Sequence, residues 1–151
     1  MKRSAGILPY KLIDNEIYVY LEHPGGPYLK GIEKYSICKG EYKRDERAYE
    51  AALREFKEES GFDLKDKELI YLTSHKVSNS KLVIMFTLNI DLDPAKMTSN
   101  TFVKTMSDGV KKEFPEMDKA GWFKLDDARE VIFKNQIFFL ERLENLLRGE
   151  I

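Results

Sequence analysis

Three carboxylates crowd one short patch in the stretch Gly40 to Phe62, which reads GEYKRDERAYEAALREFKEESGF. On a helix advancing about 100° per residue, Glu55, Glu58 and Glu59 project from one face within about a turn. Acidic oxygens gathered in this way are ligands for a hard divalent cation, and Mg²⁺ or Mn²⁺ suits them better than a softer metal. Arg54 can reach Glu50 or Glu58 at i−4 and i+4, where it would hold a carboxylate in one rotamer. Ala48, Ala51 and Ala52 continue the glutamate face with small side chains that leave open space beside it. Tyr49, Leu53 and Phe56 form a separate apolar stripe that can seat the helix on a sheet.

The glutamates stand where they weaken their own helix. Ser60 and Gly61 mark its end, with Gly61 suited to a left-handed terminal position. Carboxylates in a last turn oppose the helix dipole, and like charges at i and i+3 or i+4 repel by a few tenths of a kcal/mol. A bound cation reverses both penalties. A solvated helix in a chain that is 34% charged would explain a lone Glu-Glu pair, but this spacing is more demanding.

The elements around this stretch follow from the chain in order. Ala5 to Tyr10 and Glu16 to Glu22 are apolar and β-branched runs separated by Asp14-Asn15, which reads as a β-hairpin. His23 to Tyr35, HPGGPYLKGIEKY, contains too much Pro and Gly for a regular element and is a loop of functional length. Its Gly25-Gly26 pair is a candidate phosphate-cradling turn, and His23 and Tyr35 at its two ends are candidate substrate contacts. Ser36 to Cys38 is predicted as a short strand, and Asp45 as the cap of the helix that follows. Lys39 and Gly40 stand at the entry to that helix. Gly40 lets the backbone come close to a metal or phosphate, and Lys39 can meet phosphate through its ammonium.

Glu68 to Val77 and Lys81 to Ile90 are a second predicted hairpin, in which His75 is expected to be structural or exposed. Asp91 to Lys112 is polar and irregular, with a short strand near Thr101 to Thr105, and a loop of that length is expected to border the site. A strand at Ala120 to Phe123, a helix from about Asp126 and an amphipathic helix over Asn135 to Leu147 complete the chain. Tyr28, Tyr35 and Phe102 could stack on a base.

Composition narrows the function class. The 151 residues suit one domain, 1–151, with a real core. With 25 basic and 26 acidic residues, no overall field recruits nucleic acid or anionic membrane, so phosphate binding has to be local. The single cysteine, Cys38, precludes an internal disulfide, and no apolar run approaches the roughly 18 residues that span a membrane. The N-terminus turns polar too soon for a signal sequence. The expectation is a cytoplasmic protein with a small-molecule partner and no stable nucleic-acid partner, and a homodimer is compatible with this reading.

The stretch resembles the Nudix box, G-x5-E-x7-R-E-U-x-E-E-x-G-U with U an aliphatic residue, through Gly40, Glu46, Arg54, Glu55, Phe56, Glu58, Glu59, Gly61 and Phe62. Only the two U positions depart, both being Phe. The likeness continues in the SAGIL strand, in KGE at the entry to the box and in WFKLDDAR before the last helices. The segments HPGGP, SICKGE, SNTF and EFPEMD are similar to a bacterial group of predicted NTP pyrophosphohydrolases.

The resemblance implies an α+β fold with a mixed β-sheet in an α/β/α sandwich. It also implies Mg²⁺- or Mn²⁺-dependent hydrolysis of a nucleoside diphosphate linked to another moiety, of the NTP or dinucleoside polyphosphate type. Metal-activated water would be the nucleophile. By the same likeness Glu58 and Glu59 are metal ligands and Glu55 is a ligand or the general base. The carbonyl of Lys39 joins the metal shell, and a further acidic ligand comes from Glu116 or Glu113. ADP-ribose-specific and diadenosine-specific relatives carry a diagnostic Pro or Tyr past the box. Val77, Ser78, Asn79 and Ser80 stand there instead. The competing reading is a Nudix-fold nucleotide sensor without turnover, against which the full set of box carboxylates speaks.

Overall fold

The computed structural model describes residues 1–149. Of the 1–151 expected to form one domain, 150 and 151 lie outside the described residues. Strand β1 (Lys2–Ile13) runs through the middle of a six-stranded sheet. Every residue from Ser4 to Tyr10 on it is buried, as befits a strand covered on both faces. A two-residue turn, Asp14-Asn15, with φ of 52° and 65°, leads back into β2 (Glu16–Pro24). Such left-handed pairs match the twist of a tight hairpin.

The chain continues through β3 (Cys38–Glu41), helix α1 (Ala48–Ser60) and the hairpin of β4 (Ile70–Ser78) and β5 (Lys81–Asn89). β6 (Thr101–Thr105) and β7 (Lys111–Pro115) follow, then β8 (Met117–Lys124), α2 (Leu125–Val131) and α3 (Ile137–Leu147). The sheet order is β4-β5-β1-β2-β8, with β3 pairing β1 off this path. β1 and β5 are parallel and the other pairs antiparallel, so the sheet is mixed.

Side-chain alternation along β1 divides the core in two. Leu8 and Tyr10 face Leu125, Ala128, Ile132, Phe139, Leu140 and Leu143 of the C-terminal segment. Ala5 and Ile7 face Ala51, Ala52 and Phe56 of α1. Helices on both faces make the expected α/β/α sandwich.

Several local expectations are corrected. Ala51 and Ala52 are fully buried against the sheet, so their small size allows close packing of α1 and does not leave a cavity. The residue that caps α1 is Arg47, with no side-chain cap bond, and not Asp45. The strand expected at Ser36 to Cys38 begins only at Cys38, because Tyr35 and Ser36 make isolated bridges to Ile132 and Glu22. An unforeseen strand, β7, begins at the last two residues of Asp91 to Lys112, the segment expected to be irregular, and pairs β6 in a hairpin separate from the main sheet. Gly61 does end α1 in the left-handed region, at φ 80°.

Candidate active site

Arg54 is the hub of the box helix. Its Nε and Nη2 donate to the two oxygens of Glu46 at 2.7 and 3.0 Å, a bidentate pair. Its Nη1 donates to Glu55 Oε1 at 2.9 Å and to both oxygens of Glu58 at 3.2 Å. The partners are therefore Glu46, Glu55 and Glu58. Glu50 is not among them. Arg54 holds the Glu46 carboxyl below its ordinary range.

Glu55 lies against Gly40 on β3. A Cβ placed on Gly40 would lie 2.0 Å from Glu55 Oε2, so the close approach that glycine permits is used first by a carboxylate. The obstructing atoms are the far end of a flexible side chain, so a methyl group there would move Glu55 and leave the strand in place. Gly40→Ala is accordingly expected to leave the thermal midpoint nearly unchanged while lowering kcat by about 10²-fold, the scale of a misplaced reacting group. Unfolding scans and steady-state assays check this together, and wild-type activity would show that the Glu55 placement does not matter.

Glu59, one turn on along the same side of α1, is 6% exposed with Oε2 lacking any hydrogen-bond partner. Burial, then the charges of Glu55, Glu22 and Glu116, push its carboxyl up to about 9, with Lys39 opposing. Burial also raises Glu55, to which Glu58 and Glu116 add. Glu116 is raised by burial and by Glu58.

The backbone explains how Glu116 arrives. Asn100 N donates to Glu58 O at 2.7 Å, and Glu116 N donates to Asn100 O at 2.8 Å. The same strap bonds Thr98 N to Ser60 O at 2.9 Å, which satisfies carbonyls at the end of α1. Lys39 lies on β3, its ammonium lowered by burial and by Lys81, with Glu59, Glu41 and Glu55 pulling the other way. The structure thus brings together Glu55, Glu58, Glu59, Glu116, Lys39 and Gly40. Glu113 is exposed on β7 opposite Val103 and is not one of the charges acting on the cluster.

Two expected substrate contacts are buried. His23 is 2% exposed, with Nδ1 2.8 Å from Asp118 Oδ1 and Nε2 2.5 Å from Ile32 O. Tyr35 packs edge-on between His23 and Phe123. Both ring nitrogens of His23 and the ring of Tyr35 are occupied by the protein, so these residues pin the Gly-Pro loop and do not face a ligand. His75 stacks on Phe138 at 3.9 Å and is structural, as expected. Tyr28 is 71% exposed, with Lys104 over its ring at 4.8 Å.

Glu22 escaped the sequence reading. It is fully buried on β2, on the α1 side of the sheet, with Oε1 unpartnered. Burial raises its carboxyl to about 7, against hydrogen bonds from Tyr20 and Cys38. The signal was present: an acid ending the apolar run IYVYL, two residues after Tyr20 and hence on the same strand face. Tyr20 is enclosed by Phe56, Phe62 and Trp122 at 5.9, 6.3 and 5.7 Å between centroids. The two phenylalanines at the aliphatic box positions help to form that aromatic enclosure.

The NUDIX domain family model matches residues 12–143. The chain belongs to the Nudix hydrolase family. Members of this family cleave phosphoanhydride bonds and generally use divalent metal cations. No curated protein matches the chain in sequence. Among solved structures, a C. elegans Ap4A hydrolase binary complex is 19% identical, with 99% of each chain covered and a TM-score of 0.66. The NUDIX domain of Shewanella oneidensis NrtR complexed with ADP ribose is 12% identical, with 96% and 87% covered and a TM-score of 0.67. A Nudix hydrolase from M. smegmatis, RenU, is 14% identical, with 97% and 85% covered and a TM-score of 0.63. At these identities the likeness establishes the fold.

Among the described residues no three His, Cys, Asp or Glu side chains close on a single point, since Arg54 draws Glu55 and Glu58 towards itself. The donor set nevertheless fits a hard cation. It is all carboxylate, it repels itself, and it includes one buried oxygen with no partner.

Proposed function

We propose that the protein is a Mg²⁺- or Mn²⁺-dependent hydrolase that cleaves the diphosphate linkage of a nucleoside diphosphate linked to another moiety, of the NTP or dinucleoside polyphosphate type. The observation that carries this reading is the unpartnered buried Oε2 of Glu59 amid the charges of Glu55, Glu22 and Glu116. A buried carboxylate oxygen without a donor is costly unless a proton or a cation occupies it.

Glu58, Glu59, Glu116 and the Lys39 carbonyl would hold the cation. When bound, it neutralises phosphate oxygens and makes the attacking water more acidic. Glu55 accepts the proton of that water, a task suited by the burial that raises its carboxyl. The ammonium of Lys39 meets the substrate phosphates, and Gly40 keeps the backbone beside Glu55 clear. Cytoplasmic residence belongs to the same proposal and is supported by the free, buried thiol of Cys38. Among the described residues no helix is long and apolar enough to cross a membrane.

A phosphate-release screen over NTPs, dinucleoside polyphosphates, ADP-ribose and nucleotide sugars with Mg²⁺ or Mn²⁺ tests the proposal. Turnover of one class supports it. Binding without turnover in any class would favour a nucleotide-binding module, the reading to which the unclosed carboxylate cluster lends support.

Arg54 acts as a positioning residue in this scheme. Arg54→Lys keeps the charge and loses the fork that serves three glutamates at once. Its kcat is expected to fall about 10- to 100-fold, as for other groups that orient ligands, with KM little changed. A change confined to KM would point to substrate contact.

A further inference from the structure

A pronounced cavity lies beside the carboxylates and not at them. It is a basin of about 710 Å³ between the start of β1 and the loop 42–47 that enters α1. Lys2, Arg3, Lys43, Arg44 and Arg47 line it. All five are exposed, and among the described residues none of them forms an ion pair, whereas Lys11, Arg54, Lys119 and Arg129 all do.

The fold forces these charges together. Tyr42 N donates to Arg3 O at 3.0 Å, which lays the loop bearing Lys43 and Arg44 beside Lys2 and Arg3. Lys2 also stands opposite Lys81 in the parallel register of β1 and β5, and like charges across neighbouring strands repel. Two acids share the lining, Glu41 and Glu46, but Glu46 is already held bidentately by Arg54.

A chain with 25 basic and 26 acidic residues thus concentrates, among the described residues, cations without ion-pair partners around one deep concavity, where the walls focus their field. The volume is that of a small-molecule site, and guanidinium forks with ammonium groups are the donors that phosphate oxygens select. The basin also adjoins the carboxylates. Arg54 bonds Glu46 and reaches the Glu41 carbonyl at 3.5 Å on one side, and it bonds Glu55 and Glu58 on the other.

We propose that this basin binds a linear chain of phosphates. The chain comes either from the distal end of a substrate whose scissile linkage lies at the carboxylates, which rests on the hydrolase reading above, or from a free polyphosphate that acts on the enzyme from outside the reaction.

Calorimetric titration with inorganic tripolyphosphate, in chelator so that no metal bridges the anion to the glutamates, reads the site directly. Wild type and Glu59→Gln are expected to bind alike. The charge-reversal variant Lys43→Glu/Arg44→Glu is expected to bind about tenfold or more weakly, the scale of losing charge-assisted hydrogen bonds. Arg3→Glu, on the strand and not the loop, is expected to do the same and guards against a local folding defect in the loop variant. Equal binding by all four proteins, or loss only in Glu59→Gln, would overturn the proposal.

Kinetics then separate the two sources. A raised KM for dinucleoside polyphosphates but not for ADP-ribose in Lys43→Glu/Arg44→Glu assigns the basin to substrate. An unchanged KM, with tripolyphosphate altering the kcat of wild type but not of the variant, assigns it to a free anion. A protein that turned over none of these compounds would leave the calorimetric result standing, so failure of the basin and failure of the hydrolase reading are distinguishable.

Discussion

Glu55→Gln is expected to lower kcat by about 10² to 10⁴, the usual contribution of a positioned general base, while leaving divalent-cation affinity largely intact. Glu55 sits against the strand that leads to the helix, its oxygens filling the space a Gly40 side chain would take. One oxygen already accepts from Arg54 at 2.9 Å. Burial raises its proton affinity, which suits an acceptor more than a ligand. An amide keeps the shape and the hydrogen-bond acceptor but cannot take the proton. Steady-state rates measured beside calorimetric Mg²⁺ titration separate the two roles. If rate and affinity fall together and excess Mn²⁺ restores part of the rate, Glu55 is a ligand. Full activity at ordinary Mg²⁺ removes it from the site.

The second large effect concerns Glu59. Substitution by glutamine is expected to weaken divalent-cation binding by at least about 10- to 100-fold, because an amide oxygen is a much poorer ligand for a hard cation. It should also change how stability depends on pH. The Glu59 carboxyl stands at about 9 in the folded protein against an ordinary 4.5. A folded value raised above the unfolded one means that the folded state binds the proton more tightly. That stabilisation is complete below 4.5 and is lost as pH rises through about 9.

Metal-free wild type is therefore expected to lose thermal stability as pH rises across this window. Glu59→Gln, which carries no charge to bury, should show a flatter profile. Mg²⁺ added at the alkaline end should raise the midpoint of wild type and not that of the variant, since a ligand of the folded state stabilises by mass action. Unfolding scans over pH, with and without Mg²⁺, check both. Wild-type metal affinity in Glu59→Gln would take Glu59 out of the ligand set.

The carboxylate helix was legible in the sequence because its information is periodic. Spacing alone places Glu55, Glu58 and Glu59 on one side, and a glycine after the last turn predicts the left-handed residue that Gly61 adopts at φ 80°. The two hairpins were legible for a similar reason: Asp14-Asn15 and the SNS segment are local turn signals, and the turn at Asp14 and Asn15 has the positive φ such pairs tolerate. β7 was not, since a short exposed strand rich in Lys and Glu has no apolar alternation and exists only because β6 pairs with it.

What only the tertiary structure decided is which side chains are dry and which distant ones meet. Ala51 and Ala52 are small in either reading, but their contact with Ala5 and Ile7 depends on where α1 lies on the sheet. His23 and Tyr35 flank a glycine-rich loop in sequence, yet Asp118 and Phe123, nearly a hundred residues away, turn them inward. Glu22 becomes a neighbour of Glu59 only because α1 packs on the sheet face that carries Tyr20 and Glu22 of β2. Glu116 reaches the box through two backbone bonds by way of Asn100. Residue spacing reports the period of one element, whereas burial and charge coupling arise between elements, where no local pattern records them.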